Sequence, residues 1–331
     1  MLTRLQKKSE ATTDMEARHD SVLMQEVLEA LDVQSGDTVV DATLGGAGHF
    51  ATLLEKLGEA GIIVGIDADG AAVERGREVY ARDRRTNRPI AHLVNDNFRN
   101  LSRILERLQI APVNKILIDL GWSGYQIAAP RGFSFQNDEP LLMTYGEGGE
   151  TAADIVNSSS EADLADIIFT YGEERFARGI ARSIVSARSQ ERILTTGALV
   201  AAILAGVPAR YRQGKIHPAT KTFQALRIAT NDELGALREG LSSAISALAP
   251  LGRLAIISFH SIEDRIVKNA LRDAALSGLG SLTPKKSIVP TRAEIIANRR
   301  ARSAKLRVFE RGATISSAES THSLHSIPSY V

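Results

Sequence analysis

Up to residue 122 the sequence alternates between short apolar runs and helical stretches, and this alternation limits the possible folds more than any other feature. The apolar runs are GDTVVDAT, GIIVGIDAD, IAHLVNDNF and NKILIDLGW, and a glycine-rich turn and helix, LGGAGHFATLLEKLG, separate the first two. Strands that alternate with helices at this spacing form a parallel sheet covered by helices on both faces. The pattern therefore predicts an α/β fold with a doubly wound, Rossmann-like sheet.

The alternation stops after about residue 136 and returns near the C-terminus. EADLADIIFTYG, EERFARGIARSIVSAR, TTGALVAAILAG and TKTFQALRIA all have the helical period, whereas GRLAIISF has the character of a buried strand. We expect this last strand to span residues 253–259 and to follow a turn at residues 250–252. At the other end of the domain, Asp20 or Ser21 is placed to cap a first helix. The sequence thus predicts one α/β domain interrupted by an all-helical insertion.

These patterns divide the chain into five parts. The sheet domain occupies residues 19–135 and 233–311, and the insertion occupies residues 136–232. Residues 1–18 are polar, contain Glu10, Asp14 and Glu16 and have no apolar core, which argues against a targeting signal and predicts a disordered leader of a cytoplasmic protein. We expect residues 312–331 to be a flexible tail. No apolar run approaches the roughly 20 residues of a membrane span.

Composition excludes several kinds of site. The chain has no cysteine, so disulfides, thiol nucleophiles and thiolate metal sites are absent, which fits a reducing compartment. No group of His, Asp and Glu has the spacing of metal ligands, and we expect no metal. The net charge of +1 conceals a basic segment, residues 285–311, whose charge is typical of a phosphate-binding surface or of a solvated tail. An arginine face in the insertion has the same two interpretations, and it consists of Arg175, Arg178 and Arg182.

Polar residues follow the predicted strands at the edge where doubly wound sheets bind ligands. Gly45, Gly46 and Gly48 let the backbone after the first strand pass close to a ligand. Asp67 ends the second strand and is the expected acceptor for ribose hydroxyls, in a dinucleotide-binding or a methyltransferase fold alike. After the third strand come residues suited to an adenine, namely Asp96, Asn97 and Phe98.

The motif DLGW after the fourth strand has the acid, loop and aromatic order of amino-group methyltransferases. It occurs with HDSVL, DATLGGAGH, GIDAD, RGFSF, YGEERFARGIARSIV, HPATKTFQALRIATNDEL, GRLAIISFHSIEDRIVK and RSAKLRV. With these motifs, residues 19–311 resemble the bacterial ribosomal RNA small subunit methyltransferase H family. The resemblance implies a class I S-adenosylmethionine-dependent methyltransferase that methylates the N4 amine of a cytosine in the decoding region of 16S ribosomal RNA. It also implies that the insertion recognises RNA within the small ribosomal subunit, while a homodimer is left open.

The resemblance carries site residues over to this sequence. Together with the glycine pattern it implies a cofactor site of Gly45, Ala47, Gly48, His49, Asp67, Phe98, Asp119 and Gln126. The residues expected to contact substrate RNA are Trp122, Arg131, His217, Lys221, Asn231 and His260.

Two residues of DLGW are the expected catalytic pair. Asp119 is placed to accept a hydrogen bond from the cytosine amine or to hold the cofactor, and a helix-capping role is the alternative. Trp122, the only tryptophan, is placed to stack on a base taken out of its helix or to act as a lid that packs on the insertion.

The sequence departs from the family pattern at several positions. The family usually has Gly at Ala47, Val at Trp122 and Ser at Gly124, and alanine fits the first position if its φ is negative. Where the family pattern is PLDMRM, this chain has PLLMTY, so Leu142 and Thr144 replace an acid and an arginine. These replacements keep open a non-catalytic ribosome assembly factor that binds S-adenosylmethionine. An amino-methyltransferase of another nucleic acid base is a further alternative, although a DNA enzyme would carry two prolines that DLGW lacks.

Overall fold

The computed structural model of the chain describes residues 21–121, 124–146 and 148–313. The predicted leader, residues 314–331 of the predicted tail and Trp122 lie outside the described residues. No helix within the described ranges is long and apolar enough to span a membrane.

Seven strands form one sheet. They are β1 (Thr38–Asp41), β2 (Ile62–Asp67), β3 (Ile90–Asn95), β4 (Val113–Asp119), β5 (Leu248–Ser258), β6 (Gly280–Leu282) and β7 (Lys305–Arg311). Their order is β3-β2-β1-β4-β5-β7-β6, in which the first five are mutually parallel and β7 runs antiparallel to both of its neighbours. This arrangement confirms the predicted doubly wound, Rossmann-like α/β sheet. The strand order reverses between β1 and β4, and this switch point opens the ligand crevice of such sheets.

Fourteen α-helices accompany the sheet in the described part of the chain. They are α1 (Met24–Leu31), α2 (Gly48–Lys56), α3 (Gly70–Arg82), α4 (Leu101–Leu108), α5 (Gly124–Ala128), α6 (Ala152–Ser158), α7 (Glu161–Gly172), α8 (Ala177–Arg188), α9 (Thr196–Ala205), α10 (Ala209–Arg212), α11 (Ala219–Asn231), α12 (Glu233–Ala247), α13 (Ser261–Leu276) and α14 (Arg292–Ala297). Short 3₁₀ helices at Phe98–Asn100 and Arg299–Ser303 precede α4 and β7.

Both faces of the sheet are buried, as the apolar strands predict. Val40 of β1 packs on one face with side chains of α4, α12 and α13, while its neighbour Val39 packs on the other face with side chains of α1, α2 and α3. Successive residues of a strand point to opposite faces, so a strand buried on both sides is apolar at nearly every position. The helices therefore pack on both faces of the sheet and fix the position of its carboxyl edge.

The helical insertion has an apolar core of its own. Ile168 of α7, Ile180 of α8, Ile203 of α9 and Leu226 of α11 are buried together in it. All four helices read from the sequence in this region are present. A smaller cluster formed by Ile228, Leu234 and Ile262 connects α11 to α12 and α13. The insertion is thereby anchored beside the carboxyl edge of the sheet.

Two local predictions were wrong. The first helix is not capped by Ser21, because it begins at Met24 and the backbone N–H before it, that of Leu23, donates to Glu294 Oε1 at 2.7 Å. The turn expected at residues 250–252 is a bulge inside the longer strand β5, whose pairing with β4 shifts register there.

The basic segment folds into α14, a 3₁₀ helix and the antiparallel strand β7, which rules out the solvated tail that was one of its two interpretations.

Candidate active site

The glycine-rich turn between β1 and α2 is fastened to the end of β2. The backbone N–H of Gly45, which has a φ of 50°, donates to Asp67 Oδ2 at 2.8 Å. Arg75 of α3 donates two hydrogen bonds to the carbonyl of Gly45, at 3.1 and 2.9 Å. Because both backbone groups of this glycine are engaged, the turn is held in one conformation beside Asp67.

Ala47 adopts a left-handed conformation in the same turn. Its φ is 60°, so the negative φ under which alanine would suit this position is not present. A left-handed conformation costs an L-residue with a Cβ roughly 1–2 kcal/mol. The side chain is buried in the core on the α1, α2 and α3 side of the sheet, which offsets part of that cost.

Asp67 is a partly buried carboxylate with one hydrogen bond to each oxygen. Oδ2 accepts from the Gly45 N–H, and Oδ1 accepts from the Asp69 N–H at 2.8 Å. Burial raises the pKa of Asp67 to about 6, against the lowering effect of these two N–H groups. Each oxygen has further acceptor capacity. The end of β2 thus offers the two acceptors that the hydroxyls of a ribose require, which fits the cofactor implied by the resemblance.

Two other aspartates end the neighbouring strands. Asp41 of β1 is fully buried, and its Oδ2 has no hydrogen-bond partner among the described residues. Burial raises the pKa of Asp41 well above its usual value, and the nearby charges of Asp119 and Asp67 act in the same direction. The parallel strands therefore concentrate three carboxyl groups at one edge of the sheet.

Asp119 is held by its own loop at the end of β4. Its Oδ1 accepts the Gly121 N–H at 3.0 Å, and its backbone N–H donates to Thr43 Oγ1 at 2.6 Å. The helix α5 begins only at Gly124. The side chain thus holds a turn at the strand end, and its position in the crevice leaves the catalytic and cofactor roles available.

His49 lies beside Asp119 and is nearly buried. Its Nε2 is 3.6 Å from Asp119 Oδ2, and burial lowers the pKa of His49 to about 4. The imidazole is therefore neutral at physiological pH, and it brings no positive charge to the crevice.

Two cavities meet at the carboxyl edge of the sheet. The larger, of about 410 Å³, extends from Gly46 and His49 to Phe223 and Gln224 of α11. The smaller, of about 90 Å³, lies against residues that include Asp67. Their shared wall consists of Thr43, Gly45, Asp119, Leu120, Gly121 and Glu263.

Most of the predicted cofactor residues line one cavity or both. Those of the smaller cavity are Gly45, Asp67, Phe98, Asp119 and Gln126, and those of the larger are Gly45, Gly48, His49 and Asp119. Ala47 lines neither cavity and supports the turn from behind.

Two residues expected to contact RNA are engaged inside the protein. Arg131 forms an ion pair with Asp69 at 2.9 Å and donates to the carbonyl of Tyr145 at 2.7 Å. The amide of Asn231 accepts from the Tyr145 N–H at 3.0 Å and donates to the carbonyl of Met143 at 2.7 Å. These contacts favour a role in positioning residues 143–145 over the direct RNA contact expected from the sequence.

Of the other four predicted RNA residues, Trp122 lies outside the described residues, and the remaining three differ in position. His217 is exposed and stacks on Phe135, with ring centroids 4.8 Å apart. Lys221 donates to the carbonyl of Glu173 at 2.7 Å. His260 caps α13 and lines the larger cavity, which neither of the other two does. The structure therefore brings only His260 of these three to the predicted cofactor residues.

A polar network beside the cavities consists of Glu233, Tyr145 and Arg227, none of which was predicted from the sequence. Glu233 accepts from the Tyr145 hydroxyl at 2.6 Å and from Arg227 at 2.8 Å. Burial raises the pKa of Tyr145 well above its usual value, and the charge of Glu233 acts in the same direction. Within the described ranges, one set of possible metal ligands has its atoms within 4.8 Å of one another, and it consists of Glu233, His260 and Glu263. Arg227 already supplies a positive charge to this set, and the expectation of no metal stays a prediction.

Comparison with known proteins decides the family. The sequence model of the MraW methylase family matches residues 16–312. The chain belongs to the MraW methylase family. The matched range includes every strand of the sheet and the whole helical insertion, so no part of the candidate site lies outside the family. As a member of the MraW methylase family, the chain is a methyltransferase that uses S-adenosylmethionine, and the predicted enzyme class and cofactor are confirmed.

Curated relatives are similar along most of their length. Three of them, each named ribosomal RNA small subunit methyltransferase H, come from Deinococcus radiodurans, Syntrophotalea carbinolica and Brevibacillus brevis. The first is 48% identical to this chain over 89% of the chain and 90% of the relative. The second is 44% identical over 89% of the chain and 98% of the relative. The third is 42% identical over 90% of the chain and 99% of the relative. The resemblance recognised from the motifs is thereby confirmed.

Proposed function

We propose that this chain methylates the N4 amine of a cytosine in 16S ribosomal RNA of the small subunit, with S-adenosylmethionine as the methyl donor. The names of the relatives support the substrate class. The observation that carries the proposal is the position of Asp119, which lies in the wall shared by the two cavities. A donor bound on one side of this wall and a base bound on the other would meet beside one carboxylate.

Residues at the ends of β1 and β2 would hold the cofactor. Asp67 has acceptor capacity for ribose hydroxyls, and the Gly45 turn, which Arg75 fastens, forms the adjacent wall. When bound, S-adenosylmethionine supplies a methyl group on a positively charged sulfur. The chain itself contributes binding, orientation and the acceptor for a proton.

Asp119 would orient the amine. The lone pair of the cytosine N4 is delocalised into the ring, which makes it a weak nucleophile. A carboxylate that accepts a hydrogen bond from this amine localises the lone pair and aims it at the methyl group, and orientation of this kind supplies much of the acceleration in such reactions. Burial keeps the neighbouring His49 neutral, so this imidazole adds no positive charge beside Asp119.

Two basic surfaces would bind the RNA backbone. Arg178 and Arg182 of α8 are exposed, and Ile180 and Ile184 are buried on the opposite side. Arg175 is exposed as well, but it precedes the helix and lies over the rings of Phe176 and Tyr211. Within the basic segment, Lys305 and Arg307 pair with Asp264 at 2.9 and 2.7 Å. The exposed cations of that segment, which are available to phosphate groups, are Lys285, Lys286, Arg292, Arg299 and Arg302. RNA would thus contact the sheet domain through the basic segment as well as the insertion through its arginines.

The replaced family residues do not lie in the site. Leu142 and Thr144 line neither cavity, and their hydrogen bonds are made by backbone groups: the carbonyls accept from Ala152 and Arg131, and the Leu142 N–H donates to Pro140. Their replacement therefore leaves the wall around Asp119 intact, which favours an active methyltransferase over a non-catalytic assembly factor.

The test is methyl transfer to small ribosomal subunits from a strain that lacks the enzyme. The parent should methylate 16S ribosomal RNA, and mass spectrometry of its nucleosides should detect N4-methylcytidine. Asp119→Ala should reduce single-turnover transfer by on the order of a hundredfold or more, because the orientation of the amine is lost. If the folded parent binds S-adenosylmethionine and the subunit but transfers no methyl group, the assembly factor is the correct interpretation.

A further inference from the structure

A second carboxylate lies in the wall between the two cavities. Glu263 belongs to the first turn of α13, directly after β5, and only 4% of its surface is exposed. Of the six described residues that line both cavities, only Glu263 and Asp119 are ionisable. One comes from the end of β4 and the other from the helix that follows β5, and these two strands are parallel neighbours. The fold therefore brings two acids from distant parts of the sequence to one place.

Glu263 is held in a defined orientation. Its Oε2 accepts the backbone N–H groups of Phe259 at 2.8 Å and His260 at 3.2 Å. In return, His260 Nδ1 accepts the backbone N–H of Glu263 at 3.3 Å, which completes a capping box. Oε1 lies 3.0 Å from His260 Nε2. The two backbone bonds to one oxygen thus fix the carboxylate while the other oxygen retains acceptor capacity.

Capping alone does not explain a buried glutamate at this position. A capping box requires only an acceptor at its third helical residue, and glutamine serves as well as glutamate. The insertion contains a second capping box, in which Asp154 of α6 plays the same part and is exposed to solvent. Burying a charge is costly even when the charge is paired, and a glutamine would provide the same cap without that cost. The burial of Glu263 at the meeting point of the cavities therefore calls for a role beyond the cap.

The neighbouring Glu233 does not compete for this role. Its two oxygens accept from Tyr145 and Arg227, and it lines only the smaller cavity. Arg227 lines the larger cavity and interacts electrostatically with both glutamates. Glu263 is thus the acid of this network that reaches both cavities.

We infer that Glu263 is a catalytic residue that accepts the second N–H of the substrate amine, opposite Asp119. This inference rests on the proposed function and names the chemistry of that same site. An exocyclic amine presents two N–H groups, so two carboxylates match it, whereas the carbonyl oxygen of a uracil would face two negative charges. The pair therefore selects an amino base as well as orienting it.

The same pair accounts for the proton that the reaction releases. The N4 lone pair forms the new N–C bond, and the S–C bond breaks with its electron pair left on sulfur. The nitrogen then carries the positive charge and loses one of its two protons to the Glu263 carboxylate, while Asp119 keeps its hydrogen bond to the other. The resulting carboxylic acid returns the proton to water after the product leaves. Atoms and charges balance without any further reactant.

The experiment compares three variants under single-turnover conditions on subunits that lack the modification. Glu263→Gln keeps the length and the capping acceptor but removes the charge, and Glu263→Asp keeps the charge but shortens the side chain. Asp154→Asn is the matched control, because it neutralises the other capping box. We expect Glu263→Gln to slow transfer by about a hundredfold or more, with the Kd for S-adenosylmethionine and for the subunit within about twofold of the parent. The control should transfer at the parental rate.

The order of the two Glu263 variants separates chemistry from structure. A catalytic carboxylate predicts that Glu263→Asp is faster than Glu263→Gln, whereas a purely capping side chain predicts the reverse, and this comparison stands even if both variants lose stability. Parental transfer by Glu263→Gln overturns the inference while the proposed function stands. Calorimetry that shows Mg²⁺ binding to the parent without RNA, and no such binding to Glu263→Gln, also overturns it, because Glu233, His260 and Glu263 would then bind a metal. An inactive parent refutes the proposed function itself.

Discussion

The affinity for S-adenosylmethionine should depend on pH through Asp67. The pKa of Asp67 is raised to about 6 by burial, although the Gly45 and Asp69 N–H groups hold its two oxygens. The ionised carboxylate is the better acceptor for ribose hydroxyls, so binding should strengthen as the pH rises through about 6 and weaken below it. With this pKa the ionised fraction is roughly 90% at pH 7 and roughly 10% at pH 5. The affinity should therefore fall by about tenfold between these values, which is about 1.4 kcal/mol.

Isothermal titration calorimetry at pH 5, 6 and 7 measures this dependence. Two buffers with different ionisation enthalpies would show a proton released on binding near pH 5 to 6. Asp67→Asn is the matched variant, because it keeps the size of the side chain and removes the titration. It should bind about 1–3 kcal/mol more weakly at pH 7, since an acceptor for a hydroxyl is lost, and its affinity should be flat over the same range. Equal affinities of the folded parent at pH 5 and pH 7 would refute the assignment.

The raised pKa of Asp67 also predicts how the free energy of unfolding of the ligand-free protein changes with pH. The folded pKa of Asp67 lies above the unfolded value of 3.8, so the folded state binds more protons between these pH values. The free energy of unfolding should therefore fall as the pH rises from about 4 to about 6. The shift corresponds to about 3 kcal/mol at most. Asp67→Asn should flatten this part of the curve, although the raised pKa of Asp41 acts in the same direction in both proteins.

Three further outcomes are expected. Ala47→Gly should change the free energy of unfolding, measured by urea unfolding, by less than about 1 kcal/mol, because relief of the left-handed strain offsets the lost methyl group. The matched control is the same change at the buried, helical Ala72, which should destabilise the protein by about 2 kcal/mol. Neutralising the arginine face should reduce the log-log salt slope of RNA binding by roughly 0.7–0.9 per phosphate contact removed, and an unchanged slope would assign that face to solvent. Trp122→Ala should weaken binding of the subunit by about 1–3 kcal/mol while Trp122→Phe retains most of it, and parental transfer by the alanine variant at limiting RNA would favour the lid.

Local patterns were sufficient for the sheet and for part of the site. The apolar runs identify β1, β2 and β4 because these strands are buried on both faces, and the glycines mark the turn after β1. The edge strand β3 is apolar in sequence but only partly buried. Asp67 and Asp119 follow from the same logic, since parallel strands end at one edge whatever else surrounds them. The family motifs then identify the chemistry, and the comparisons confirm it.

Contacts between residues far apart in the sequence could not be predicted from local patterns. The strand β7 has the sequence KLRVFER, and its charges are also typical of a solvated segment. In the structure Asp264 pairs with Lys305 and Arg307, and Glu310 pairs with Arg253. The start of α1 depends on Glu294, which is 271 residues away in the sequence. The local periodicity of the sequence does not indicate any of these long-range contacts.

The sequence by itself determined the fold class, the family and the acids at the ends of β2 and β4. Periodicity and short motifs report on a residue and its immediate neighbours, and these features depend on nothing more. Only the tertiary structure decided that Glu263 shares a wall with Asp119, that Arg131 and Asn231 are engaged with residues 143–145, and that Leu142 and Thr144 lie outside both cavities. Packing and burial arise from segments far apart in the chain, and a side chain's chemistry depends on that environment as much as on its identity.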